Sequence, residues 1–249
     1  MLKDKEQIKQ WLDKYEVKNY TINDDFTVDV DGSVDIYDKN LTSIPVQFGN
    51  VKEYFYCGNN KLTSLQGCPQ QVKNFYCFNN KLTSLQGCPQ FVSGDFYCYN
   101  NQLNSLEDGP QSVGGHFDCS SNKLTSLQGC PQSVSGDFYC YNNQLTNLQG
   151  GPQYVGDSFN CGNNQLTSLQ GSPQQVKKFY CFNNQLTNLQ GGPQYIGDSF
   201  NCNNNPIKYI DLNNFNYEFS GTFDHNGYII ENLSDFYIDG QLNLSSKDI

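Results

Sequence analysis

The 249-residue chain has no arginine, two histidines and one tryptophan, and only 16% of its residues are charged. Arginine is the preferred side chain for phosphate groups and for the edges of bases, so its absence argues against nucleic-acid binding. There is also no glycine-rich phosphate loop, and neither His116 nor His225 has an evident serine or cysteine nucleophile as a partner. We therefore predict no catalytic residue and no cofactor.

The chain also lacks long apolar stretches. No run approaches the roughly 18 apolar residues that a membrane span needs, and the N-terminal sequence MLKDKEQIKQW is charged, without the apolar segment of a secretory signal. The eleven cysteines include no CxxC pair, so we predict no metal site. Eight of them recur once per unit of the repeat described below, at a position that suits a small apolar group. Free buried cysteines behave as such groups. We expect reduced thiols, no membrane contact and a cytoplasmic protein.

Charge is unevenly distributed along the chain, which has a formal net charge of −10. Residues 40–210 contain eight acidic residues and eight lysines, so the excess acid lies in the two flanking segments, after residue 210 and before residue 40. There, Asp29, Asp31 and Asp35 are spaced somewhat like the ligands of a calcium loop, but the glycine is misplaced and no glutamate follows at the twelfth position. We interpret this segment as a solvent-exposed hairpin.

What the sequence does contain is one motif in eight copies, FYC-x-NN-x-LTSLQG-x-PQ-x-V in its fullest form. The first leucine of each LTSL block recurs every 20 or 21 residues, and Ile207 continues the series. These leucines are Leu41, Leu62, Leu82, Leu103, Leu124, Leu145, Leu166 and Leu186. A unit this short cannot bury its own apolar face, so the units must stack into a solenoid.

Each position of the unit has a predicted place. Residues two apart on a strand point to the same side, so Phe and Cys of FYC face inward with the Val and Leu positions. The second Asn of the NN pair should be buried, with its amide bonded to backbone groups. Val and Phe are usually four residues apart, but three apart in Val72–Phe75 and Val176–Phe179. We expect the variable residue in the turn that enters the strand.

Reduced to its apolar and asparagine positions, the unit reads L-x-x-L-x-L-x-x-N-x-L, for example from Val72 to Leu85. Over residues 34–210 it resembles leucine-rich repeats of the short bacterial type, although Lys39 takes the asparagine position of the first turn. The resemblance implies a solenoid with short parallel β-strands on the concave face. The segment QGCPQQ between repeats is too short and too rich in Pro and Gly for a helix, so we predict an extended, polyproline-like convex face.

The amino-acid sequence of the motif is also similar to repeat regions of secreted effectors from Gram-negative pathogens, and to uncharacterised repeat proteins of large bacteriophages and bacteria. The resemblance implies a protein that binds and modulates a host protein, such as a defence component, in the host cytosol if the gene is phage-encoded. The ubiquitin-ligase domain of some such effectors is not implied, because only a short segment follows residue 210.

The flanking segments are predicted to close the ends of the stack. Residues 1–33 form an N-terminal cap, with an amphipathic helix over 2–18 and a β-hairpin that turns at Asp31–Gly32. Nine repeats occupy 34–210. Residues 211–249 form a C-terminal β cap with a turn at His225–Gly227, and the whole chain is one cooperative domain.

Side chains on the strands that point away from the Phe/Cys core are predicted to form the functional surface. Most are aromatic, with His116, Asp118 and Ser120 as a polar break in the middle. The predicted partner-binding residues are Tyr56, Tyr76, Phe78, Tyr97, Tyr99, His116, Asp118, Tyr139, Tyr141, Tyr180 and Phe182.

An exposed aromatic patch usually marks an interaction surface, although tyrosine also simply favours strands. The leading prediction is a non-enzymatic module that binds a protein partner on this face. The alternatives are a carbohydrate-binding protein and a structural or assembly component of a virion.

Overall fold

The structure, a computed structural model, describes residues 1–207 and, beyond them, the backbone of residues 209–211, 218–219, 222–225, 228–230 and 241–243. The chain opens with helix α1, Lys5–Lys14, which is shorter than the predicted 2–18. Asp4 caps the helix by accepting a hydrogen bond from the backbone N–H of Gln7 at 2.9 Å. The helix stops before Glu16, whose φ of 56° is incompatible with a helix. Ile8 and Leu12 are fully buried against the solenoid core.

The hairpin that follows α1 turns earlier than predicted. Strands β1 (Tyr20–Ile22) and β2 (Thr27–Val30) pair antiparallel around residues 23–26. Asn23 and Asp25 close this turn with side-chain hydrogen bonds to Thr27. The predicted turn at Asp31–Gly32 is wrong, because those residues only bend the chain between β2 and the next strand, β3 (Val34–Asp35).

Strands β2 and β3 begin a continuous parallel sheet, since both pair in parallel with β4 (Gln47–Tyr56). The sheet continues as β5 (Gln71–Tyr76), β6 (Phe91–Val92), β7 (Phe96–Tyr97), β8 (Ser112–Val113), β9 (Phe117–Asp118), β10 (Ser133–Val134), β11 (Phe138–Tyr139), β12 (Tyr154–Val155), β13 (Ser158–Asn160), β14 (Gln175–Tyr180) and β15 (Tyr195–Asn201). Equivalent residues of successive repeats are paired, as in Phe96 with Phe117. The architecture is a leucine-rich-repeat solenoid.

The variable residue between Val and Phe lies inside the sheet and not, as predicted, in a turn that enters the strand. Val72 pairs with Val51 and with Val92 in one row, while Phe75 pairs with Phe55 and Phe96 in a second row. Where a four-residue spacing meets a three-residue spacing, the register shifts between the rows. The sheet therefore absorbs the extra residue as a bulge, because the valine row is itself part of the sheet.

Beyond the repeats, β16 (Tyr209–Asp211) pairs antiparallel with β20 (Gln241–Asn243). Strands β17 (Glu218–Phe219) and β18 (Thr222–His225) pair in parallel with β15, and β18 pairs antiparallel with β19 (Tyr228–Ile230). The predicted turn at His225–Gly227 includes residues 226–227, which lie outside the described residues.

The core is a set of single-residue columns that run the length of the solenoid. The phenylalanines from Phe48 to Phe200 contact one another in sequence, with ring centroids 5.1–5.9 Å apart. Burial of each ring stabilises the fold by roughly 1.5–3 kcal/mol. Beside them runs the predicted cysteine column, in which each side chain is 0% exposed. Its members are Cys57, Cys77, Cys98, Cys119, Cys140, Cys161, Cys181 and Cys202.

The predicted asparagine ladder is present. Asn122 donates from Nδ2 to the carbonyl oxygens of Cys98, Cys119 and Ser120, each at 3.1 Å. Its Oδ1 accepts the backbone N–H of Leu103 at 3.0 Å. The equivalent asparagines are buried to a similar degree, and each bonds both its own repeat and the preceding one. The exposed Lys39 replaces asparagine only in the first turn.

The residue before each ladder asparagine adopts a left-handed conformation, with φ between 51° and 55° in the repeats from Asn59 to Asn204. Asparagine tolerates this region better than most residues do, which explains the NN pair. On the convex side, the outer segment turns through glycines of positive φ, such as Gly67 at 97°. A Cβ there would lie 2.6 Å from the Ile44 carbonyl oxygen. No helix occurs on the convex face of residues 34–207.

Replacing Asn122 with Ala should lower the free energy of unfolding by about 3 kcal/mol, because it leaves several buried backbone groups without a partner. Urea denaturation measures the effect. The matched control is Ser121→Ala, which keeps the left-handed residue small and should change stability by less than about 0.5 kcal/mol. Equal effects at the two positions would show that the ladder does not hold the repeats together.

All eleven cysteines are free and buried. Burial raises the pKa of the Cys88 and Cys130 thiols to about 12, so they stay protonated and unreactive at neutral pH. A thiol reagent should therefore label almost none of the cysteines in the native protein, and all eleven after denaturation without a reductant. Rapid labelling of several native thiols would contradict this burial.

Candidate interface on the concave face

The candidate interface consists of three columns of side chains on the concave face. The first column precedes each core phenylalanine, the middle column lies between Phe and Cys, and the third column follows Cys. Since alternate residues of a strand share a side, all three columns face away from the core. All eleven predicted partner-binding residues lie in these columns and are half-buried.

The N-terminal half of this face carries a continuous aromatic cluster. The rings of Tyr76 and Tyr97 lie 5.1 Å apart, and Phe78 stacks on Tyr99 at 4.5 Å with an interplanar angle of 6°. The cluster consists of Tyr37, Tyr56, Tyr76, Phe78, Tyr97 and Tyr99. Tyr37 was absent from the prediction, although it occupies the third column of the first turn. Aligning that turn with the repeat of Gly58 would have found it.

Glycine in the third column makes room for rings of the following repeat. A Cβ on Gly162 would lie 2.6 Å from Cζ of Phe182, and one on Gly58 would lie 3.2 Å from the ring of Phe78. Each phenylalanine therefore covers the glycine of the repeat before it. Tyr139 and Tyr141 form a separate pair, with centroids 6.3 Å apart, and Tyr180 and Phe182 lie two repeats further on.

Asp118 sits between the aromatic groups, in register with Tyr97 on one side and Tyr139 on the other. Its Oδ1 accepts hydrogen bonds from the backbone N–H of Ser120 at 2.9 Å and from the Ser120 hydroxyl. Its Oδ2 has no hydrogen-bond partner among the described residues. Burial raises the pKa of Asp118, and the two hydrogen bonds from Ser120 oppose that rise. The site thus holds a partly desolvated carboxylate with one free oxygen.

The turn at Asp118 does not itself require a charge. Asn160 in the same column accepts the backbone N–H of Gly162 at 3.0 Å, and Asn201 accepts that of Asn203 at 3.0 Å. An asparagine therefore closes the same turn without the cost of desolvating a carboxylate. The negative charge at Asp118 is an addition to what the fold needs.

His116 has a structural task that the sequence did not reveal. Its Nδ1 lies 3.0 Å from the backbone N–H of Asp137 and 3.0 Å from Oδ2 of the same residue. The two contacts are alternatives, because a neutral Nδ1 accepts from the N–H whereas a protonated one donates to the carboxylate. Asn74 and Asp95 accept the corresponding N–H of the following repeat. When Nδ1 accepts the Asp137 N–H, His116 makes the same contact as Asn74 and Asp95 make in their repeats. This row of side-chain acceptors supports the bulged part of the sheet.

Carboxylates hold two of the tyrosines in place. The Tyr139 hydroxyl lies 2.8 Å from Oδ2 of Asp137, and the Tyr97 hydroxyl lies 3.5 Å from Oδ2 of Asp95. Burial raises the pKa of Asp137, but hydrogen bonds from Tyr139 and Ser158 outweigh it and the net shift is downward. Burial and the adjacent carboxylates raise the pKa of both tyrosines. Their hydroxyls therefore stay protonated at neutral pH.

Within the described residues, no group of three or more His, Cys, Asp or Glu side chains is arranged to hold a metal ion. In the same described part of the chain, no helix is long and apolar enough to cross a membrane.

No protein-family model matches the sequence, and no curated protein matches it. Among solved structures, the chain is similar to YopM from Yersinia enterocolitica WA-314, with 19% sequence identity and a TM-score of 0.46. The similarity covers 72% of this chain and 48% of the YopM chain, so the match spans about half of that protein.

Replacing Asp118 with Asn should raise the free energy of unfolding at neutral pH by up to about 1 kcal/mol, because it removes a desolvated charge and keeps the turn. The folded-state pKa of Asp118 is raised, so its charge costs stability above that pKa and nothing below the unfolded value. The gap between variant and wild type should therefore close as the pH falls through this range. Urea denaturation at several pH values measures it.

The reverse change, Asn160→Asp, is the matched control and should lower stability at neutral pH. A destabilised Asp118→Asn variant would mean that the carboxylate supports the fold.

Proposed function

We propose that the protein is a non-enzymatic protein-binding module and that the three columns of the concave face hold the partner. The observation that supports this is the use of aromatic side chains where the same fold accepts small polar ones. Asn160 and Gly162 occupy the middle and third columns of a regular repeat, with their backbone hydrogen bonds intact. Eight parallel strands at about 4.8 Å spacing give a face roughly 35–40 Å long, enough for a partner of ordinary interface size.

The strand preference of tyrosine does not account for this pattern. The repeats that carry Asn160 and Asn201 form strands as regular as those of Tyr76 and Tyr97. Half-buried tyrosines also suit a binding surface, because they offer large apolar contact at low entropic cost together with a hydroxyl.

The finer features of the proposal rest on the sequence alone. In this proposal the protein comes from a phage or a bacterium, works in the cytosol, and binds and modulates a host protein such as a defence component. The absence of arginine argues against nucleic acid as the partner.

Carbohydrate binding and a structural role in a virion are the alternatives. A sugar needs an open ring face, but Phe78 and Tyr99 turn their faces toward each other, with an interplanar angle of 6°. The ring faces of the aromatic cluster are thus partly occupied, which favours a protein partner. A glycan array is the direct test of the sugar alternative.

If the proposed function is correct, a variant with four substitutions on the concave face, here called the concave variant, should lose partner binding and keep its stability. Its four substitutions, Tyr97→Asn, Tyr139→Asn, Tyr99→Ser and Tyr141→Ser, use residues that other repeats carry in the same columns. Peptides selected from a random display library on the wild-type protein should bind this variant at least about 100-fold more weakly, at about 1 kcal/mol or more per lost anchor.

The control variant, Phe91→Ser with Tyr154→Ser, removes exposed aromatics from outside the concave columns, 67% and 56% exposed respectively. Ser112 and Ser133 already occupy that column in other repeats, so the control should fold normally and bind as wild type does. Selected peptides that bind the concave variant as tightly as the wild type would overturn the proposed function.

A further inference from the structure

The centre of the concave face combines aromatic walls with a charged floor. Tyr97 and Tyr139 lie two strands apart, with Asp118 in register between them. Strand spacing places their backbones roughly 9.6 Å apart, a gap in which a planar cation can stand within about 6 Å of both ring centroids. The middle column has no ring at Asp118, and this missing ring is the depression between Tyr97 and Tyr139. In the third column of the same repeat, Ser120 is only 1% exposed, so neighbouring side chains cover it and the depression is limited to the middle column.

The charges around this depression have one sign. Asp95, Asp118 and Asp137 contribute three carboxylates, and the three columns contain no lysine from Asp95 to Gly162. His116 adds a positive charge only when it is protonated, and its Nδ1 then faces the Asp137 carboxylate. Elsewhere the surface pairs its carboxylates across the strands, as in Lys73 with Glu53 and Lys52 with Asp31. At Asp118 the structure supplies the acid without a counter-charge.

The charge at Asp118 is a cost that the fold does not require. Asn160 and Asn201 close the same turn as neutral residues, whereas a desolvated carboxylate without a counter-ion is unfavourable. A cation that enters the depression would remove that penalty and would also gain contact with two electron-rich rings. A residue that weakens the free protein and would be compensated by a bound cation points to a ligand.

We infer that the depression formed by Tyr97, Asp118 and Tyr139 is a subsite for a cationic side chain of the partner, with arginine as the preferred occupant. A guanidinium is planar, so it can stack between the two tyrosines while it donates hydrogen bonds to Oδ2 of Asp118. The chain has no arginine of its own, so a second copy of this protein cannot supply one. This inference rests on the proposed function, and it specifies the chemistry that the partner brings to the face.

The test uses the peptides that were selected on the wild-type protein and that the concave variant does not bind. These peptides should share an arginine, and its replacement by norleucine should weaken binding about tenfold or more, with lysine intermediate. Asp118→Asn should weaken the arginine peptides by a similar factor and leave the norleucine versions unchanged. Higher salt should reduce the affinity of the arginine peptides for wild type more than for Asp118→Asn.

The control for the charge is Asp157→Asn, which removes a carboxylate near Lys177 outside the three columns and should leave binding unchanged. Loss of folding does not explain the result, because an asparagine at position 118 can close the turn there in the same way that Asn160 closes the equivalent turn two repeats later. Peptides that need the concave tyrosines but show no preference for arginine, or that ignore Asp118→Asn, would overturn the cation subsite and leave the proposed function standing. Peptides that ignore the concave variant would overturn both.

Discussion

One buried amide per repeat is the interaction on which the rest of this structure depends. Each ladder asparagine from Asn80 onward, such as Asn143, bonds the carbonyl of its own cysteine and that of the cysteine one repeat earlier. The amide thus fixes the height of one repeat on the next, so the phenylalanine rings stack and the strands pair in register. The concave columns are aligned for the same reason. Aromatic side chains alone would not produce that order, because burial of apolar area has no direction.

The features of the fold that the sequence predicts are those that every repeat shares. Positions that every unit shares, such as the core phenylalanines and Asn122, were predicted because each unit faces the same packing problem. The turn at residues 23–26 was not, because it depends on hydrogen bonds specific to Asn23 and Asp25. The role of His116 was missed because a neutral imidazole can replace asparagine as a backbone acceptor only in the folded geometry. The candidate interface residues were predicted on one face, but the contacts among them depend on side-chain packing that the repeat pattern does not specify.

The concave face shows how a stable scaffold carries residues that do not stabilise it. The middle column has two solutions, a tyrosine that contacts its neighbours or an Asx residue that closes the turn beyond the cysteine. Asp118 adopts the second solution and carries a charge that Asn160 does without. The bulged part of the sheet nearby uses glycine, because a Cβ on Gly114 would overlap the Ser93 carbonyl oxygen. Variation in the columns is therefore separated from the positions that hold the fold.

Bonding between nearest neighbours also governs how such a surface can change over time. Residues 145–161 recur almost unchanged as 186–202, and the ladder bonds of both segments are the same in kind. Units can be copied or deleted in pairs, since every junction is equivalent to the one it replaces. The distance between two groups of side chains then changes in steps of one strand spacing, about 4.8 Å. A lineage with this architecture can lengthen its concave face by recombination before any point mutation alters the side chains that the face carries.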